Sequence, residues 1–255
     1  MRNLFSIYRR ELKAYFVSPV AYVVLVIFLV IAGFFFASIV NAFAFTSLRA
    51  QQSPYGAPEL NISAWLEAFF MNTAVWILFV LPLLSMRLFS EEKRQGTMEL
   101  LFTYPVRDVA TVLGKYFACA TIFLLMLAVS LVNMAILAKY GDPEVGPIFS
   151  AYLGLFLMGA SFLAIGIFVS SLTENQIVAA IGTFGALLLL WVLYWVSNTT
   201  GPRLGRLLEE LSIIQRYSGF AKGIIEVKDA VYYILFTVFF LFLTLRVLES
   251  KKWRG

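Results

Sequence analysis

The sequence has no histidine and one cysteine in 255 residues, and only 14% of its residues are charged. Without imidazole, a histidine-dependent hydrolase triad, a His-Glu metalloprotease helix and an imidazole-ligated haem or zinc site are all excluded. The single thiol, Cys119, makes no internal disulfide and no multi-thiolate metal centre, and its apolar setting reads as that of a small buried side chain. A phosphate-cradling loop is missing as well. Gly114-Lys115 runs on to Tyr116 and lacks the earlier glycine, so the chain has no Gly-x-x-x-x-Gly-Lys-Ser/Thr. The scarcity of charge excludes more, because water-soluble domains carry about 25% charged and 45–50% apolar residues. Here 61% are apolar and the mean hydropathy is +0.85, which points to a membrane protein. Six spans of about 20 residues take roughly 120 residues, leaving room for one membrane domain and little else.

Apolar runs supply those six spans, at about Ala21–Val40, Leu66–Met86, Tyr116–Leu137, Ile148–Val169, Ile177–Val196 and Val231–Leu248. The first is too long for a signal-peptide core and has no clear cleavage site, so it reads as retained. Six crossings put both ends on one side. That side collects 13 of the 20 Lys and Arg, including Arg9, Arg10, Arg87, Arg94, Lys115 and Lys251. The other holds seven, five of them between Arg203 and Lys228, where Glu209, Glu210, Glu226 and Asp229 nearly balance them. Because basic loops stay in the cytoplasm, both termini are expected there. The net charge of +5 is then a membrane-surface feature, and no nucleic acid is expected as a partner.

Three segments lie between spans. In Arg2–Phe16, Leu4, Tyr8, Leu12 and Tyr15/Phe16 form one helical stripe and Arg2, Arg9, Arg10 and Lys13 fall elsewhere, as in a helix lying among headgroups. A simple flanking anchor would look the same. Pro19 marks the turn into the bilayer. In Arg87–Lys115, residues 87–95 suit a short helix with Arg87 and Glu91 spaced i, i+4; Gly96 stops it in the left-handed region and Thr97 begins another turn. Leu100, Leu101 and Phe102 follow before Pro105 breaks the pattern. An ordinary connecting loop is one reading; a charged knob beside apolar residues, suited to docking a protein, is the other. In Asn198–Tyr233, Leu204, Leu207, Leu208, Leu211 and Ile214 repeat at helical spacing, predicting one half-buried helix. A second short stretch follows at 219–227, and the pair either caps a pathway or packs as a fixed lid.

The stretch from Met86 to Arg107, Met-Arg-Leu-Phe-Ser-Glu-Glu-Lys-Arg-Gln-Gly-Thr-Met-Glu-Leu-Leu-Phe-Thr-Tyr-Pro-Val-Arg, followed by Leu113-Gly-Lys115, resembles the signature of ABC-2 type transporter permeases. More narrowly, it resembles the permease subunit of the gliding-motility-associated group, close to the permeases of nitrous-oxide-reductase maturation systems. Ser18-Pro19, Ser170-Ser-Leu-Thr-Glu-Asn-Gln-Ile177, Phe220–Tyr233 and Leu248-Glu-Ser-Lys-Lys-Trp253 extend the likeness along the chain.

The resemblance implies an all-α membrane protein with six transmembrane helices of the ABC-2, type V exporter-like permease fold, forming one domain over 1–255. Residues 1–18 would be the interfacial helix, 87–107 the cytoplasmic coupling region, and 198–230 an outer re-entrant helix pair acting as extracytoplasmic gate. It carries over Arg87, Glu91, Glu92, Arg94, Gly96, Thr97 and Glu99 as residues coupling to the ATPase, with Glu174 in the second, shorter contact; Phe220, Gly223 and Asp229 fall in the gate. It also implies a bacterial inner-membrane location and a non-catalytic subunit with no cofactor of its own. Its partners would be a cytoplasmic ABC ATPase that binds ATP and magnesium, a second permease protomer in a homodimer, and an auxiliary membrane-anchored extracytoplasmic protein.

The expected function is therefore that of an ATP-driven exporter permease. The alternative is a membrane scaffold whose ATPase remodels or positions an extracytoplasmic assembly, with nothing crossing. An ion-driven carrier would need midplane acidic residues or an inverted repeat. The intramembrane polar residues are few, Glu67, Asn72 and Asn133, and the asparagines would serve equally to bond helices together. Aromatic content of 16% favours an amphipathic, lipid-like or polymeric cargo.

Overall fold

A computed structural model describes residues 2–51, 62–98, 107–140, 143–199 and 201–252. They form ten helices and, among the described residues, no strand. In chain order these are α1 (Arg2–Val17), α2 (Pro19–Gln51), α3 (Ile62–Ser85), α4 (Arg87–Arg94), α5 (Asp108–Tyr140), α6 (Val145–Leu172), α7 (Gln176–Thr199), α8 (Pro202–Leu211), α9 (Ile213–Ala221) and α10 (Val227–Lys252). Six of them, α2, α3, α5, α6, α7 and α10, are long and apolar enough to cross a membrane.

Local chemistry sets the breaks. Ser18 closes α1 by donating its N–H to the Ala14 and Tyr15 carbonyls at 3.1 and 3.2 Å. Pro19, with no N–H to lose and φ already fixed, starts α2. Only Met86 separates α3 from α4, and its φ of −54° is itself helical, so α4 continues α3 with a slight break rather than a loop. Gly96 ends α4 at φ 67°. This left-handed conformation is nearly free for glycine and costs other residues about 1 kcal/mol or more.

The helices outrun the apolar stretches that announce them. α2 and α5 are each 33 residues long, about 50 Å at 1.5 Å per residue, against a hydrocarbon core of about 30 Å. Hydropathy detects only the part immersed in lipid; the backbone bonds go on until a proline or a capping residue stops them.

The bundle is built around α6, the most buried of the six long helices, which packs against α3, α4, α5, α7, α9 and α10. Small residues let its neighbours close in: a Cβ added at Gly166 would meet the Ser85 side chain, and one at Gly159 would meet the Phe123 ring. Ser161 Oγ lies 3.2 Å from the Tyr233 carbonyl and 3.3 Å from Thr237 Oγ1, bonding α6 to α10 inside the apolar layer. By contrast α2, α7 and α10 turn most of their apolar surface outward.

One expectation is extended and one corrected here. α1 keeps an exposed face and also packs inward. It packs along α5, and Tyr15 is fully buried and donates to the Leu84 carbonyl at 2.7 Å. The single helix expected across 204–214 is two helices. Ser212 breaks it with ψ 117° and caps α9 by accepting from the Gln215 N–H, because a serine hydroxyl competes well for a free helix N-terminus. Along α8 the ends of the apolar stripe, Leu204 and Leu211, are exposed and Leu208 is half-buried, whereas Ile213 and Ile214 of α9 are buried.

Candidate functional site

Two clusters lie at opposite ends of α6. At the α4 end, four charged side chains from three helices meet. Glu92 of α4 lies 3.0 Å from the Lys115 ammonium of α5 and 2.9 Å from the Arg10 guanidinium of α1. Glu11 of α1 contacts the same two cations, at 3.2 and 2.6 Å. Lys115 is only 1% exposed and also faces the Phe89 ring at 5.3 Å. An ammonium this deep needs carboxylates around it. Burial pushes the Glu11 carboxyl up, but Lys115 and Arg10 outweigh it and hold Glu11 below its ordinary value.

A second set of bonds seats the short helix itself. Arg87 donates to Ser18 Oγ at 2.7 Å and stacks on the Tyr15 ring at 4.3 Å, tying the start of α4 to the α1–α2 corner. The i, i+4 partnership of Arg87 with Glu91 is thus not made, because a half-buried hydroxyl and an aromatic face hold the guanidinium instead. Glu91 instead meets its own helix's Gln95 at 3.4 Å. α4 has no cap from its own preceding side chain. Ser170 of α6 supplies one: its Oγ accepts the N–H of Phe89 at 3.0 Å and of Ser90 at 3.1 Å, and donates to the Met86 carbonyl at 2.8 Å. At the other end of α4, Lys93 donates to the Ser171 carbonyl. Thr97 donates to the Glu92 carbonyl at 3.2 Å and closes the turn at Gly96.

Leu88, Phe89 and Ser90 are buried, whereas Arg94, Gln95 and Gly96 face out. A cleft of about 390 Å³ opens between α1 and α4, with Ala14, Ser18, Arg87, Glu91 and Gln95 along its walls. Glu174 stands exposed on the turn after α6, where Asn175 Oδ1 accepts the Ile177 N–H at 2.9 Å and caps α7. Of the sequence-derived coupling residues, Glu92 and Arg87 enter the buried cluster. Glu91, Arg94, Gly96 and Thr97 edge it, and Glu174 lies on the neighbouring turn. Glu99 lies outside the described residues, as do Leu100, Leu101, Phe102 and Pro105.

At the α9 end, Arg216 acts as a clasp. It pairs with Asp229 at 2.8 Å, donates to the Glu210 carbonyl at 3.0 and 2.8 Å, and stacks on Tyr232 at 4.3 Å, so α8, α9 and α10 meet on one guanidinium. Phe220 and Tyr217 are fully buried on α6, where a Cβ at Gly154 would sit 2.5 Å from Phe220 Cβ. Gly223, at φ 86°, makes the tight turn that brings the chain against Pro147. Of the three expected gate residues, Phe220 and Gly223 therefore hold this segment against α6, and Asp229 ties it to α10. Glu67 reaches Lys222 at 3.7 Å across the rim, and Asn72 bonds only its own helix, at the Ala68 carbonyl.

Sequence reasoning missed Glu11, Tyr15, Lys115, Ser170 and Arg216. Lys115 carried a readable signal, since a lysine between Gly114 and the apolar run from Tyr116 must find an acid on another helix. Ser170 stood out only as the first residue of the likeness at 170–177; its bonding role depends on α4 folding back against it.

Six long apolar helices, one of them buried at the centre of the bundle, define a multi-pass, all-α membrane protein. The family model described as ABC-2 family transporter protein matches residues 61–204, more than half of the sequence. The chain belongs to the ABC-2 transporter family, whose membership makes it a membrane-embedded permease component of an ABC transporter and implies a partner ABC ATPase. No curated protein matches it.

Proposed function

We propose that this chain is the permease subunit of an ATP-driven exporter of the gliding-motility-associated type, with α4 as its coupling helix. In this reading the α4 end is cytoplasmic, both termini lie on that side of a bacterial inner membrane, and two identical protomers pair around the pathway. The observation that carries the reading is the seating of α4: one face fixed by Lys115, Arg10 and Ser170, and Glu91, Arg94 and Gln95 left at its rim. A helix held this firmly transmits a push rather than bending under it. The excess of Lys and Arg on the same side supports the orientation. Glu91, Glu92, Arg94, Gly96, Thr97, Glu99 and Glu174 then meet the ATPase or set the geometry of the surface that does, and Phe220, Gly223 and Asp229 anchor the gate segment. ATP and magnesium are bound by the partner.

Reconstitution with an ABC ATPase tests the proposal. Wild-type chain should support ATP-dependent movement of an amphipathic cargo, and Glu92→Arg or Gly96→Pro should leave hydrolysis running while movement stops. Normal coupling in both variants would refute it. Hydrolysis that answers to the permease with no cargo crossing would favour the scaffold reading, in which an auxiliary extracytoplasmic protein is the element moved.

A further inference from the structure

Besides its charged contacts with α1 and α5, α4 has two joints to the spans of the bundle core. It is joined covalently to α3 through Met86 alone, and it is bonded to the end of α6 through Ser170 Oγ and the Ser171 carbonyl. The second joint leads further. α6 has no proline in its middle, and from Ser170 it runs about 24 Å to Gly154, where Phe220 and Tyr217 of α9 rest on it without a gap. Along that length it is wedged between α3, α5 and α10. These close contacts resist bending, so the helix shifts as a unit or not at all.

We propose that α6 is the rod that carries displacement of α4 to the α8–α9 segment, with Ser170 as the positioning residue at one joint and the seat of Phe220 on Gly154 as the other. Ser170 suits the task because one hydroxyl holds two N–H groups and one carbonyl of the α4 start, fixing that end of the short helix against sliding. Long flexible side chains would absorb such a displacement; a hydroxyl two bonds from its backbone does not. The proposal rests on α4 as the element a partner moves, but its test needs no partner.

The experiment uses the full chain in lipid nanodiscs, with Lys222→Cys carrying an environment-sensitive fluorophore. Lys222 is half exposed at the end of α9, and Cys119 is fully buried, so the label goes to position 222. Ser170→Ala is expected to speed hydrogen exchange at the Phe89 and Ser90 amides about tenfold, the size of a lost helix cap, and to shift the emission at position 222. Ser170→Thr should restore both, and Arg94→Ala, on the exposed face, should change neither. Faster exchange with unmoved emission would overturn the proposal, as would an emission shift of equal size in Arg94→Ala. If Ser170→Ala does not fold, Lys93→Met loosens the other end of α4 from Ser171 and is read the same way. Failure here would leave the exporter reading intact, and failed transport would leave this result standing.

Discussion

The two ends of the bundle are held by different chemistry. At the α4 end the bonds join residues far apart in sequence, Arg87 to Ser18, Glu92 to Arg10 and Lys115, Phe89 to Ser170, and most of them involve charge. At the α9 end the short polar bonds are local, with Arg216 reaching Glu210 and Asp229; the polar contacts to distant residues are long, Glu67 to Lys222 at 3.7 Å and Tyr217 to the Ala151 carbonyl at 3.5 Å, and most of the long-range work is done by buried rings, Tyr217 and Phe220 on α6. The first arrangement makes four elements move together. The second seats a segment that can be lifted as a piece once its apolar underside is displaced, because few bonds would have to break one by one.

Substitutions at each end sharpen or break this contrast. The largest effect is expected for Lys115→Met, which leaves the half-buried Glu11 and Glu92 sharing only the exposed Arg10 and costs about 3 kcal/mol in chemical denaturation of the reconstituted protein. Adding Glu92→Gln to it should recover part of that loss, because the pair is coupled. Arg216→Ala should cost less, about 2 kcal/mol, and should open residues 201–226 to limited proteolysis while leaving α1 protected. A larger loss for Arg216→Ala than for Lys115→Met would reverse the contrast. Gly96→Ala should cost about 1 kcal/mol through backbone strain alone, since nothing lies within 4 Å of the added methyl.

The pH response should be confined to the α4 end. Glu11 is held below its ordinary value of 4.5 in the folded chain, so the unfolded chain binds the extra proton. The stability it lends is complete above that value and is lost as pH falls through the lower, folded one. Hydrogen exchange of residues 2–17 at falling pH should show this loss, and Glu11→Gln should abolish it. The smallest effect is expected for Lys222→Ala, under about 0.5 kcal/mol in the same denaturation assay, because its pair with Glu67 is long and solvated.

The spans, the stop at Gly96 and the short helix before it were legible because each depends on local composition or on one residue's backbone preference. The Ser212 break was not, since the leucine periodicity across 204–214 continues through it and a capping serine is indistinguishable in sequence from one inside a helix. For the site, the family resemblance marked Glu92 but not its partners. Glu11 sits in a run of basic residues, and only the packing of α1 on α5 brings it to Lys115. Arg87 was paired with Glu91 by spacing, whereas tertiary contact with Tyr15 and Ser18 decides otherwise.

That arginine has a practical consequence. Because Tyr15 and Ser18 both close on it, the amphipathic N-terminal helix is an outrigger bolted to the same pivot as α4. Deleting it would expose the pivot to water, and a bulky fusion ahead of it would load the pivot with torque. Labels for purification or imaging therefore belong elsewhere on the protein.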